Sequence, residues 1–217
     1  HREGKGAALA TVVETWGSAP RRVGAMLAVS GAGDLAGSVS GGCVEGAVVT
    51  EAFEALETGR SVVLTYGVSD DDAFAVGLAC GGTIRIDAGL PVATLEALCT
   101  ARAAREPVAH VVNTATWAGE IAGAGAYPDR FRADRSGFLE DGETFVAIHN
   151  PPLRMTVIGA VHIAQALVPM ARIAGYDPLI IDPRPAFAAE SRFPGEEIID
   201  DYPDEALKQR PLDARTA

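Results

Sequence analysis

The apolar positions of this chain follow two periods in turn. Ala7–Val13 is apolar but for Thr11 and predicts a buried strand ending near Glu14–Thr15. Ala25–Ser30 and Leu35–Ser40 are short apolar segments joined by Gly-Ala-Gly-Asp, a hairpin signal. After Gly41–Gly42 the period lengthens. Val44, Val48, Phe53, Ala55 and Leu56 mark an amphipathic helix that ends at Gly59. Ser61–Tyr66 reads as a strand. Ser69 and Asp70–Asp72 are placed to cap and open a short helix through Val76. Gly77–Gly82 reads as a turn, Thr83–Ile86 as a strand, Ala93–Arg105 as a helix and Val108–Val112 as a strand. Asn113–Gly125 is Gly/Ala-rich and weakly patterned. Phe145–His149 is a further strand.

Asn150-Pro-Pro breaks this pattern and predicts a boundary between a domain at 1–150 and a second at 151–217. Beyond it, Met155–Ile158 leads through Gly159 into a helix from about His162 to Ala174. Pro169 lies inside that helix and predicts a kink. Pro178–Ile181 is the next strand and ends at Asp182, which gives the start of a βαβ unit. The expected fold class is α/β: an N-terminal α/β domain with glycine–cysteine loops, then a Rossmann-type parallel βαβ domain. The second domain looks incomplete, because a full one needs several more βα units after Glu196–Asp200 and the sequence stops at Ala217.

Composition narrows the choices. Hydrophobic residues make up 48% and charged residues 22%, enough for a substantial core. The net charge of −11 disfavours binding to a nucleic-acid backbone. A small anionic ligand would have to be held by backbone amides or a few local arginines. The three cysteines, Cys43, Cys80 and Cys99, show neither a secreted disulfide framework nor zinc spacing, so no metal site is expected. No signal-peptide pattern and no membrane-spanning apolar run is evident, so the expected location is the cytoplasm, with free thiols. Cys99 falls in a predicted apolar helix and is expected in the core.

The candidate chemistry lies at two cysteines. Gly37–Gly46 reads GSVSGGCVEG between a strand and a helix start. Gly41 and Gly42 permit a tight turn with exposed amides, and a helix N-terminus adds unpaired N–H groups. Such a setting binds anions and lowers a thiol pKa, which makes Cys43 a reactive or ligand-contacting group. Glu45 would orient it or accept from a ligand ring N–H. The competing reading is a small Cys packed at a helix start. Gly77–Gly82, GLACGG, repeats the arrangement around Cys80 and favours a shared ligand site. A redox pair of Cys43 and Cys80 is a separate reading. Ser18, Arg21 and Arg22 in GSAPRR are candidate anion contacts, or a solvated loop. The Asp70–Asp72 run reads as helix-start solvation rather than a metal site.

The stretch ETWGSAPRRVGAML…GSVSGGCVEGAV…YGVSDDDAFAVGLACGGTI resembles the XdhC/CoxI family, accessory proteins of xanthine dehydrogenase and related molybdenum hydroxylases. The later βαβ region looks like that family's Rossmann-type domain. The resemblance implies a protein that binds molybdenum cofactor, supports its sulfuration with a cysteine desulfurase and delivers it to an apo molybdenum hydroxylase, as a chaperone rather than an enzyme. It also makes a homodimer plausible. Carried over, Cys43 and Cys80 become cofactor contacts, with Ser40 and the amides around Gly41–Gly42 and Gly81–Gly82 beside them and Arg21 and Arg22 at the phosphate. The second domain departs from the family's Gly-x-Gly-His: Val161 stands where the second glycine would admit a pyrophosphate. Gly159, His162 and Asp182, the last at the ribose-binding position, support an alternative reading as an NAD(P)-dependent oxidoreductase. His162 could instead cap its helix.

Overall fold

The computed structural model describes residues 6–17, 19–66, 80–87, 90–213 and 215–216. The architecture is mixed α/β, and the chain divides into two compact units, His1–Asn150 and Pro151–Ala217. The first unit holds two antiparallel sheets. One has the order β3-β2-β1-β5-β4, built from β1 (Ala7–Gly17), β2 (Met26–Ser30), β3 (Leu35–Gly37), β4 (Val62–Tyr66) and β5 (Cys80–Asp87). The other has the order β7-β6-β9-β8, from β6 (Val108–Asn113), β7 (Gly119–Gly123), β8 (Gly137–Phe138) and β9 (Thr144–His149). Helix α1 (Glu45–Thr58) lays Val48, Ala52 and Ala55 on the five-stranded sheet, against Ala10, Val12, Ile84 and Ile86. Gly59 ends it at φ 66°, its N–H donating to the Ala55 carbonyl, the left-handed cap that glycine serves best.

The opposite face of that sheet is also buried. Alternation along β5 puts Ile84 and Ile86 toward α1 and Arg85 and Asp87 toward the second sheet. Val13 packs with Phe145 and Ala147 of β9. An alternating apolar–polar strand usually has a wet side; here both sides are covered, and Arg85 and Asp87 form an ion pair of 3.0 Å with side chains 0% and 7% exposed.

Three expectations are corrected. First, β1 runs on to Gly17 through a bulge between Val12 and Glu14, and its extension pairs with Cys80–Thr83. Cys80, Gly81 and Gly82 are therefore strand, not turn. Gly82 is required by close approach, since a Cβ there would lie 2.7 Å from the Glu14 carbonyl oxygen. Second, the weakly patterned stretch contains β7, and α3 (Pro128–Ala133) and β8 follow it. Third, Cys99 is exposed: α2 (Val92–Ala104) buries only Ala101. The predicted helix at Ser69–Val76 and residues 77–79 of the predicted turn lie outside the described residues.

The second unit is a parallel sheet in the order β10-β11-β12, from β10 (Arg154–Ile158), β11 (Asp177–Ile181) and β12 (Glu197–Ile199). Helix α4 (His162–Ile173) buries Ala164 and Val168 on the Ile180 face. Helix α5 (Pro203–Gln209) brings Ala206 and Leu207 to the Leu179 and Ile181 face. Successive β11 side chains thus serve opposite layers, as a doubly wound sheet requires. Pro169 is accommodated within α4. Among the described residues no helix is long and apolar enough to cross a membrane.

Candidate functional site

The segment from Ser38 to Glu45 joins β3 to α1. Gly41 and Gly42 take φ of 87° and 119°, which turns their N–H groups inward. What they meet is the Glu45 carboxylate. Its Oε1 accepts from the Ser38 hydroxyl at 2.8 Å and from the amides of Val39, Ser40 and Gly41 at 3.3, 2.9 and 2.9 Å. Its Oε2 accepts from the Gly42 amide at 2.8 Å and from the Ser40 hydroxyl. Burial works against ionisation of Glu45, but the bonds from Ser40, Ser38 and Gly41 outweigh it and hold the carboxyl well below the usual range. The Ser40 hydroxyl in turn accepts from the Val44 amide at 3.0 Å.

The loop is therefore an anion nest filled by its own chain. This corrects two expectations. The Gly41 and Gly42 amides are already spent on Glu45, and the Glu45 carboxylate is taken up by these loop donors rather than left open to a ligand ring N–H. Its role is to fix the loop. What the loop presents outward is Cys43, exposed, with a free thiol. Gly81 and Gly82, expected to offer loop amides, are instead residues of β5, which lies between β1 and β4.

Cys43 borders a pocket of about 40 Å³ whose walls include Val39, Pro20, Thr15, Tyr66 and Gly82. The lining is mostly apolar, with Thr15, Ser40 and Tyr66 as its hydroxyl-bearing members. The Tyr66 hydroxyl is buried and has no hydrogen-bond partner among the described residues, and burial, with Glu51 nearby, pushes its pKa up. The structure thus brings Cys43 and Gly82 to one pocket, and Cys80 stands two residues before Gly82 on β5, opposite Gly17. Arg21 ties the preceding loop to this one, its Nε donating to the Ser38 carbonyl at 3.2 Å. Arg22 turns elsewhere and pairs with Asp134 at 3.1 Å. Ser18 lies outside the described residues.

Sequence reasoning missed Arg85, Asp87, His110 and His149. Burial, then the neighbouring Arg85 and His149, lowers the His110 pKa to about 4, and burial lowers that of His149. No local signal marks them, because they come from three strands of two sheets. Glu45 did carry a signal: an acidic residue in the first turn of a helix, just after amides that lack partners.

In the second unit the turn after β10 is closed in a different way. Gly159 has φ 104°, and the next amide, Ala160, donates to Asp182 at 2.8 Å. Asp182 also accepts from the Arg184 amide at 3.0 Å, its Nε at 2.8 Å and its Nη2 at 2.7 Å. These four bonds fill the acceptor capacity of a carboxylate that is 1% exposed, and the Arg184 side chain holds its pKa far below the usual range. Arg192 donates to the Ala160 carbonyl at 2.6 Å, and Arg184 stacks on Phe187 at 3.9 Å. The expected ribose acceptor is thus occupied by its own neighbours, and Val161 adds a side chain at the pyrophosphate approach. The NAD(P) reading finds no support here. His162 opens α4, exposed, and makes no side-chain cap.

Comparison with known proteins agrees with this layout. Residues 1–67 match the XdhC and CoxI family, and residues 155–211 match the XdhC Rossmann domain. An Escherichia coli K12 protein named molybdenum cofactor insertion chaperone PaoD is 33% identical over 193 residues, covering 86% of this chain and 56% of that protein. A Bacillus subtilis protein named as a probable subunit of xanthine dehydrogenase is 25% identical over 226 residues, covering 94% of this chain and 68% of its own length. A solved structure from Bacillus halodurans, titled a xanthine dehydrogenase, superposes with a TM-score of 0.79 at 20% identity, over 98% of this chain and 69% of that one, and shows the same fold. The chain spans little more than half of the E. coli relative. The chain thus carries, in order, a segment that matches the XdhC and CoxI family and one that matches the XdhC Rossmann domain.

Proposed function

We propose that this chain binds molybdenum cofactor as cargo at Cys43 and serves its insertion into a xanthine dehydrogenase-like molybdenum hydroxylase. One observation carries the reading: an exposed free thiol stands on a fixed loop beside a mostly apolar pocket that Tyr66 also lines, the Tyr66 hydroxyl being buried and without a hydrogen-bond partner among the described residues. A soft sulfur donor suits molybdenum, and a buried hydroxyl without a partner suits a polar ligand atom. The names of the E. coli and B. subtilis relatives point the same way. The reading extends to Cys80 as a second contact, to a cysteine desulfurase as the partner for sulfuration, to a homodimer and to the cytoplasm as the place of action. The N-terminal domain handles the cofactor. The Rossmann-type domain supports it without turning over a nucleotide.

The test is cofactor retention. The purified chain is incubated with molybdenum cofactor released from a molybdoenzyme, desalted, and assayed for molybdenum per protein and for activation of an apo molybdenum hydroxylase. Cys43→Ala is expected to lower retention by about tenfold, with the urea midpoint unchanged because the side chain is exposed. Tyr66→Phe gives a smaller loss. Wild-type retention and activation by a Cys43→Ala/Cys80→Ala double variant would end the proposal.

A further inference from the structure

The Cys43 pocket, at about 40 Å³, has room for only a few water molecules. A heterocycle cannot enter it as it stands. The first unit also contains a cleft of about 750 Å³, a volume typical of small-ligand sites. The two share a wall. Thr15 lines both, and the loop after β1 gives Ala19 and Pro20 to the pocket and Arg22 and Val23 to the cleft.

The cleft combines three kinds of surface. Val13 and Phe138 form an apolar floor, with Phe138 held edge-on by Phe145 at 5.3 Å between centroids. Arg22 and Arg135 stand on the rim, both exposed. Arg22 commits one nitrogen, Nη2, to Asp134. Arg130, by contrast, is committed to the carbonyls of Gly137 and Phe138. Three carboxylates also line it. Asp129 pairs with Arg132 and Asp134 with Arg22, while Glu14 accepts one long bond from the Thr83 hydroxyl at 3.3 Å. The lining thus offers guanidinium groups for an anion, a lightly engaged carboxylate for adjacent N–H donors, and the apolar side chains of Val13 and Phe138.

We infer that this cleft binds a phosphate-bearing heterocycle with an amino-pyrimidinone edge, Arg22 and Arg135 taking the phosphate and Glu14 the ring donors. The inference rests on the proposed function for its choice of ligand: the cleft receives the pterin phosphate body of the cofactor, and Cys43 meets the metal end. Guanidinium–phosphate and carboxylate–aminopyrimidinone contacts are both paired, charge-assisted hydrogen bonds, so the two ends of the ligand are recognised independently.

Two probes test it by equilibrium dialysis: released molybdenum cofactor and a metal-free pterin monophosphate. Arg22→Ala/Arg135→Ala is expected to weaken both by at least about tenfold. Glu14→Gln weakens both by a smaller factor. Cys43→Ala weakens the cofactor and leaves the pterin monophosphate unchanged. Circular dichroism confirms folding, which these exposed arginines do not support. Wild-type affinity of the double arginine variant for both probes overturns the cleft assignment and leaves the Cys43 reading standing. Wild-type protein that binds pterin monophosphate but not the cofactor upholds the cleft and overturns the Cys43 reading.

Discussion

Two turns in this chain lead from a strand through glycine to a helix, and their amides end differently. Between β3 and α1, Gly41 and Gly42 donate to Glu45, a carboxylate of the same short segment. Between β10 and α4, Ala160 donates to Asp182, which comes from the end of the next strand and is itself locked by Arg184. The first closure is local and leaves one side chain, Cys43, facing out. The second ties two βα turns together and leaves a valine at the approach. A glycine-rich strand-to-helix turn is an anion site only if its amides are unspent. In both turns of this chain a carboxylate has already been supplied, so the chemistry depends on what each closure leaves exposed.

The comparison can be broken most directly at Glu45. Glu45→Ala removes the acceptor for six donors and is expected to cost about 3 kcal/mol in urea unfolding, together with most of the cofactor retention. If retention survives, the fixed loop is not what presents the thiol. Acid separates the two units. His110 has a folded pKa of about 4 against an ordinary 6.5, so the unfolded chain binds the extra proton in between. Stability of the first unit therefore falls as pH drops from about 6.5 to about 4, by about 3 kcal/mol, and is level above that range. Glu45 and Asp182 are depressed carboxyls, so their contributions are intact above the ordinary carboxylate pKa and are lost only below it. Near-UV circular dichroism at pH 5 should report loosening around Phe145 and Phe138, and His110→Leu should flatten the loss.

At the second turn, Asp182→Ala is expected to destabilise its unit by about 2 kcal/mol while cofactor retention holds. A parallel loss of retention would give the two turns one role. The smallest effect is Val161→Gly. Removing the side chain before α4 costs about 1 kcal/mol or less. It creates no NAD(P) affinity by calorimetry, because Asp182 remains saturated. Measurable NAD(P) binding would show that Val161 alone had closed the site.

Much of the fold was readable from pattern. The hairpin through Gly-Ala-Gly-Asp, the helix ending at Gly59 and the βα unit around Gly159 all rest on local signals, namely turn residues and apolar period. The losses were non-local. Cys80–Gly82 looked like a turn because glycine pairs usually punctuate, yet here a bulged β1 needs a residue without a side chain beside Glu14. Arg85 and Asp87 alternate with isoleucines like the wet side of a strand, and only the second sheet buries them. At the candidate site the sequence marked Cys43 and its glycines. Which group would fill the glycine nest was decided by the short reach from Glu45 back over the loop, a matter of geometry rather than composition.

The central claim, that Cys43 meets the cofactor, can be tested by thiol protection. Cys43 and Cys99 are both exposed, so a maleimide modifies both in the free protein, and Cys99 on α2 serves as an internal reference. With molybdenum cofactor bound, the account predicts that labelling of Cys43, followed by peptide mass spectrometry, slows by about tenfold or more while that of Cys99 is unchanged. Equal labelling of Cys43 with and without retained cofactor would contradict it.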